Sequence, residues 1–139
     1  MVYQSPVSKS ILQDNQEYPF EIQQTDTDIF IFSDKGQTAH KSKVFRGSRI
    51  LRSFGYKSDM ICIGDCETPE AYRGQGLYPK MLRYLYTKFG KEFEVYILVT
   101  PWNKSSIKGI EKSGAQRKAK IECLKIGPLY LNKRIQRYD

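Results

Sequence analysis

The residues best suited to chemistry form one run, Tyr72-Arg73-Gly74-Gln75-Gly76-Leu77-Tyr78-Pro79, followed by an apolar-periodic segment from Lys80 to Phe89. It reads as a glycine-rich turn that stops a strand and opens a helix. The first N–H groups of a helix lack intrahelical partners, and the helix N-terminus carries partial positive charge. Glycine removes the Cβ that would keep an anion off the backbone. Pro79 has no N–H to donate, so it is tolerated only in the first helical turn. The helix therefore starts near Gly76 to Tyr78. That leaves the amides of Gly74, Gln75, Gly76, Leu77 and Tyr78 free to hold a phosphate or pyrophosphate.

The three cysteines, Cys62, Cys66 and Cys123, suggest packing rather than chemistry. Cys62 and Cys66 stand four apart in a strand-like run and are expected on the same sheet face. With a single histidine in the chain, a Cys-x-x-x-Cys pair is a poor zinc set, so buried thiols and no metal are expected. The odd cysteine count argues against a secreted disulfide scaffold.

At 139 residues, with 40% apolar residues, the chain suits one domain with one core. No apolar run approaches the roughly 20 residues that span a membrane. Met1-Val2-Tyr3-Gln4-Ser5-Pro6 has no basic segment leading into an apolar one, so no signal peptide, no membrane partner and a cytoplasmic location are expected. The net charge of +8 favours an anionic partner: nucleic acid, acidic lipid or a polyphosphate cofactor. Its densest basic stretches run from Lys41 to Arg52 and from Arg117 to Arg137.

The elements that would position the turn follow from pattern. Residues 1–26 are polar and weakly patterned, with breaks at Pro6 and Pro19. Asp28 to Ser33 is a β-prone run, Asp34-Lys35-Gly36-Gln37 a turn, and Thr38 to Arg46 a return strand. Arg49 to Phe54 reads as another strand, ended by Gly55. Met60 to Thr68, apolar first and polar last, should be a central strand running into the glycine turn. In the helix, Tyr78, Leu82, Leu85 and Phe89 recur at helical spacing, with Met81 flanking and Gly90 as the stop. Glu94 to Thr100 is an interior strand, ended by Pro101 and Trp102. Asn103 or a following serine can cap a second helix running to about Ser113 and closed by Gly114. Ile121 to Tyr138 suggests a terminal hairpin around Gly127-Pro128. Two consecutive strands joined by a crossover helix imply a parallel pair within a mixed sheet.

This order resembles the GNAT family of acetyl-coenzyme A dependent N-acetyltransferases. The resemblance covers about residues 60–115. Its turn pattern, Arg/Gln-x-x-Gly-x-Gly/Ala, is met by Arg73, Gly74, Gln75 and Gly76, with Tyr78 at the last position. That matches the family's Arg-Gly-x-Gly-(Ile/Leu)-Tyr-Pro variant. The second signature, from Asn-x-x-Ala/Ser to Glu-Lys-x-Gly, is met by Asn103, Ser106, Glu111, Lys112 and Gly114. The resemblance implies an α/β (α+β) fold: a mixed, mostly antiparallel central sheet with a strand–helix–strand–helix core that binds acetyl-coenzyme A. It further implies that the pantetheine arm pairs with the main chain at Cys66, Glu67 and Thr68. The pyrophosphate would lie on the amides of Arg73 to Tyr78. Asn103 would bond the pantetheine or line its path, Ser106 would lie beside it, and Lys112 would approach the adenosine phosphates.

The implied activity is acetyl transfer to a primary amine of a small molecule, such as an amino sugar, or of a protein. Such transfer needs a polarised thioester carbonyl, a base for the amine and a proton for the departing thiolate. Asp65 and Glu67, at the polar end of the central strand, are candidate bases or simply solvent-facing carboxylates. His40 is a third candidate, where relatives line the acceptor pocket, although an exposed hairpin histidine is the simpler expectation. Many relatives carry a tyrosine, proposed as general acid, at the position of Ile110, which cannot donate a proton. Tyr72, Tyr78 and Tyr96 are the substitutes at hand. Ala115 likewise stands where an aromatic residue is usual. The front is too short for the family's usual two helices, which leaves the acceptor site open or completed by a second copy in a homodimer. Two alternatives stand beside transfer. One is a non-catalytic acyl-coenzyme A binder. The other is a basic nucleic-acid module stacking bases on some of its ten tyrosines and seven phenylalanines. The aromatics fall in apolar-periodic runs, which favours a core role over stacking.

Overall fold

A computed structural model describes residues 1–6 and 18–138. It is a mixed α/β arrangement around one open, eight-stranded, mostly antiparallel sheet. In chain order the strands are β1 (Val2–Gln4), β2 (Glu21–Gln24), β3 (Ile29–Asp34), β4 (Gln37–Phe45), β5 (Met60–Glu67), β6 (Glu94–Leu98), β7 (Gln116–Ile126) and β8 (Leu129–Arg137). The helices are α1 (Arg49–Ser53), α2 (Leu77–Phe89) and α3 (Lys104–Lys112). The sheet order is β2-β3-β4-β5-β6-β1-β7-β8.

The strand–helix–strand–helix run falls where the pattern puts it. β5 and β6 are parallel neighbours, paired from Met60 opposite Glu94 to Ile63 opposite Ile97, with α2 as their crossover. Gly76 is the N-cap of α2 at φ +69°, a left-handed conformation that glycine adopts without Cβ strain. One stripe of α2 buries Leu77, Met81, Leu82, Leu85, Tyr86 and Phe89 against the sheet. There Phe30 meets Phe89 edge to face at 5.9 Å. Ile110 of α3 joins the same core. The opposite sheet face buries a smaller cluster, with Val2, Met60, Cys62, Tyr96 and Ala119 under Leu51 of α1.

Three local expectations are corrected. Arg49 to Phe54 is mostly a short helix rather than a strand. Ser48 caps it, accepting the Leu51 amide at 3.3 Å, and only Leu51 turns inward. The terminal hairpin begins at Gln116 rather than Ile121. Val2–Gln4, read as unpatterned, is an inner strand between β6 and β7, with Val2 and Tyr3 fully buried. The rest of that polar stretch, residues 7–17, lies outside the described residues.

A fourth correction bears on the site. Cys62 and Cys66 face opposite sides of the sheet: Cys62 packs in the smaller cluster and Cys66 against the larger one. The cause is a bulge. Asp65 sits at φ +47°, and the β4–β5 register shifts between Lys43 opposite Gly64 and Lys41 opposite Glu67. One extra residue in a strand exchanges the faces of every residue beyond it. Among the described residues, no helix is long and apolar enough to cross a membrane.

Candidate functional site

The pairing of β5 with β6 stops at Ile63 opposite Ile97, yet β5 runs on to Glu67. Beyond Ile63 its β6-facing edge therefore has no strand partner among the described residues. The glycine turn and the N-terminus of α2 lie beside this free edge, and α3 closes the other side. Together they enclose a cleft of about 540 Å³, lined among others by Cys66, Glu67, Thr68, Arg73, Gly74 and Gly76. Leu77, Tyr78, Ser106 and Lys112 line it as well. A second cavity of about 300 Å³ occupies the gap between the diverging strands, with Asp65 and Asn103 in its lining. Cys66, Tyr78 and Ser106 line both, so the two spaces meet there.

The backbone donors are available. Among the described residues, the amides of Gly74, Gln75, Gly76, Leu77 and Tyr78 have no protein acceptor. The first amide bonded within α2 is that of Lys80, to Gly76. Arg73 departs from expectation: its amide is spent on the Glu70 carbonyl at 3.2 Å. Its Nε donates to the Thr68 carbonyl at 3.0 Å, so that carbonyl is only partly free to pair with an added strand. Gln75, expected with the rest of the turn, lines neither cavity. Lys108 lies one helical turn before Lys112 and joins it in the lining; that i,i+4 spacing was the available signal for it. Arg73, Lys108 and Lys112 give the cleft a positive wall. The one carboxylate in its lining, Glu67, is paired to Lys41 at 3.1 Å.

The polar wall under the cleft is a hydrogen-bonded chain. His40 is 1% exposed, not the solvent-facing histidine expected. Its Nδ1 lies 2.7 Å from Thr68 Oγ1 and its Nε2 2.9 Å from Ser42 Oγ. Ser42 in turn donates to Cys66 Sγ at 3.1 Å. Burial lowers the imidazole to about 4, so it is neutral at pH 7 and cannot act as a cation. Burial also pushes the Cys66 thiol up, against the hydrogen bonds from Ser42 and Tyr78. The Tyr78 phenol lies well above its usual range, through burial first and the neighbouring Cys66 second. It is a neutral hydrogen-bond donor. Its ring is held between His40 and α3: a Cβ placed on Gly109 would fall 2.6 Å from Tyr78 Cδ1.

Asn103 caps α3. Its Oδ1 accepts the Ser106 amide at 3.2 Å and the Ser105 hydroxyl at 3.4 Å, which leaves its side-chain NH2 for a ligand. Ile110 is fully buried and faces the core, away from any chemistry. Tyr72 donates to Asp34 at 2.9 Å, and Tyr96 donates to Glu94 in the opposite core. Of the tyrosines named as substitutes, only Tyr78 lies where the two cavities meet. Ser42 was missed from sequence because its role depends on the bulge that turns Cys66 toward it. Among the described residues no group of His, Cys, Asp or Glu could hold a metal ion. No protein-family model, no curated protein and no solved structure matches the chain.

Proposed function

We propose that this chain is an acetyl-coenzyme A dependent N-acetyltransferase of the GNAT kind, acting on a primary amine. One observation carries the reading. Free backbone amides at Gly74, Gly76, Leu77 and Tyr78 open onto the same cleft as the unpaired edge of β5. A diphosphate suits the first and an extended amide-bearing arm suits the second, and coenzyme A joins the two in one molecule.

The donor set fits that ligand. Gly74 at φ +79° and Gly76 at φ +69° hold the turn in a conformation that other residues resist, with open space where a Cβ would stand. Each hydrogen bond to a charged group contributes on the order of 1.5–3 kcal/mol, against about 0.3–1 kcal/mol from the helix dipole. The backbone cradle is therefore the main term. Arg73, Lys108 and Lys112 add charge, and β5 offers main-chain partners at Cys66 and Glu67.

The bound thioester would supply an activated acetyl group. A main-chain N–H on the free edge of β5 would polarise its carbonyl. Asp65 would serve as the base, directly or through water. Tyr78, neutral and buried where the cavities meet, would turn its one O–H from Cys66 to the departing sulfur.

Acetyl-coenzyme A and coenzyme A should each raise the melting temperature, since a ligand that binds the native state stabilises it. Thiol release with a panel of amines then tests turnover. Stabilisation by oligonucleotides alone would remove the reading. Ile110 supports a second one, a non-catalytic acyl-coenzyme A binder, which predicts stabilisation without thiol release from any amine.

A further inference from the structure

The end of the β7–β8 hairpin has no place in the site described above. β1 pairs with β7 only at Gln116, Arg117 and Ala119, so beyond Ala119 the strand has β8 alone beside it among the described residues. Leu124 stands opposite Leu131 and Ile126 opposite Leu129, so the four side chains share one face. They are 51%, 42%, 54% and 59% exposed in that order, and neither core cluster includes them.

A bulge in β8 makes this face. Asn132 sits at φ +50°, and the register shifts between Glu122 opposite Arg134 and Leu124 opposite Leu131. In an unbroken strand Leu131 and Ile135 would share a face. The extra residue puts Ile135 opposite Ile121, which packs on the smaller cluster, and turns Leu129 and Leu131 the other way. An apolar patch left uncovered in this way marks a contact surface.

The charges around the patch decide what it contacts. From Cys123 to Tyr138 the hairpin carries Lys125, Lys133, Arg134 and Arg137 and no carboxylate. Glu122, just before, is held by Lys120 at 2.8 Å. A second copy on this patch would bring two cationic collars together, and like charges resist such pairing. The bulge and the cations likewise protect β8 from adding a strand at its edge.

We propose that the hairpin end docks on the surface of a phospholipid bilayer with anionic headgroups. Leu124, Ile126, Leu129 and Leu131 enter the boundary between headgroups and acyl chains, while Lys125 and Arg134 meet the phosphates. Lys125 extends its charged end back to headgroup level. Tyr130, opposite it, suits the interface as an amphipathic ring. The β7–β8 ladder continues to Ile126 opposite Leu129, and Pro128 of the turn has no N–H to satisfy. The outer edges of both strands still require water, so the contact is shallow and spans nothing. It departs from the absence of a membrane partner expected from sequence, since a surface contact needs no spanning segment, and it does not depend on acetyl transfer.

The full chain should sediment with vesicles of phosphatidylcholine mixed with phosphatidylserine, and at least about fivefold less with phosphatidylcholine alone. Its hold on the mixed vesicles should weaken as salt is raised. Ile126→Ser combined with Leu129→Ser, both at exposed positions, should leave circular dichroism unchanged and lower the vesicle partition coefficient by about tenfold or more. Lys125→Ala and Arg134→Ala should each lower it by about fivefold. In a chain with Leu129→Trp and Trp102→Phe the only indole lies at the hairpin end, and its emission should shift to the blue on the mixed vesicles. Any of four results overturns the proposal. The first is equal sedimentation with both kinds of vesicle, and the second is unchanged partition of the serine variant. The third is a dimer that the serine pair dissolves, which gives the patch to a second copy. The fourth is a blue shift with polyglutamate as large as that with vesicles, which gives it to an acidic protein.

Discussion

The ring of His40 lies nearly parallel to that of Tyr78, with centroids 5.4 Å apart and planes inclined by 27°. On its other side Tyr78 meets α3 at Gly109, which has no Cβ to obstruct it. A tyrosine from the first turn of α2 is thus fixed between a strand and a second helix, where the two cavities join. Gly109→Ala should therefore destabilise the protein even though alanine is the better helix former. The helical gain is about 0.5–1 kcal/mol. Forcing the ring out of its slot costs about 1–3 kcal/mol. A net loss of about 1 kcal/mol should appear as a lower urea midpoint at unchanged slope. In a Tyr78→Leu background the same substitution should turn stabilising, and the double-mutant cycle measures the coupling.

The buried imidazole makes stability depend on pH. His40 titrates at about 4 when folded, below its ordinary 6.5, so the unfolded chain takes the proton first. The contribution is fully present above pH 6.5 and is lost as the pH falls from there toward 4. Its full size is about 3 kcal/mol. Urea midpoints at pH 7 and pH 4.5 should differ more for the native chain than for His40→Asn, because asparagine has nothing to protonate. Equal pH dependence in both would mean that the imidazole is solvated.

The turn between β5 and α2 should govern coenzyme A affinity with little effect on the fold. Gly76→Asp places a Cβ in open space at φ +69°, so backbone strain of about 1–2 kcal/mol is the only folding cost. Its carboxylate would stand among the free amides and repel a diphosphate. Circular dichroism should be unchanged, and calorimetry should lose more than about tenfold in affinity. Unchanged affinity would locate the anion site elsewhere.

Much of this site was legible because its signals are local. Gly74, Gly76 and Pro79 mark the turn through what each backbone can and cannot do, and the α2 stripe repeats at helical spacing over thirteen residues. The parallel β5–β6 pair follows from the crossover. Other parts are set by distant contacts. Val2–Gln4 is three residues long, and its strand identity comes from β6 on one side and β7 on the other. The bulge at Asp65 had only a faint local signal, a glycine inside a strand run followed by an aspartate that tolerates positive φ, and nothing local shows that it turns Cys66 toward Ser42. Arg49 to Phe54 did carry a local signal, since Ser48 is a good N-cap residue. The apolar Ile50, Leu51 and Phe54 fit a short strand and a single helical turn equally well.

Asp65 and Glu67 stand two residues apart on one strand, and the structure gives them different surroundings. Glu67 is tied to Lys41 at 3.1 Å, and both side chains remain largely in solvent. An exposed pair of this kind contributes about 0–1 kcal/mol, and it occupies a carboxylate oxygen of Glu67 with Lys41. Asp65 lines the gap between β5 and β6 with no partner among the described residues. With a primary-amine acceptor, Asp65→Asn should lower kcat/KM by about a hundredfold or more, whereas Glu67→Gln should change it by less than about threefold. If Glu67→Gln were instead the more damaging change, the base would lie on the cleft side of β5 and the amine would have to approach from there.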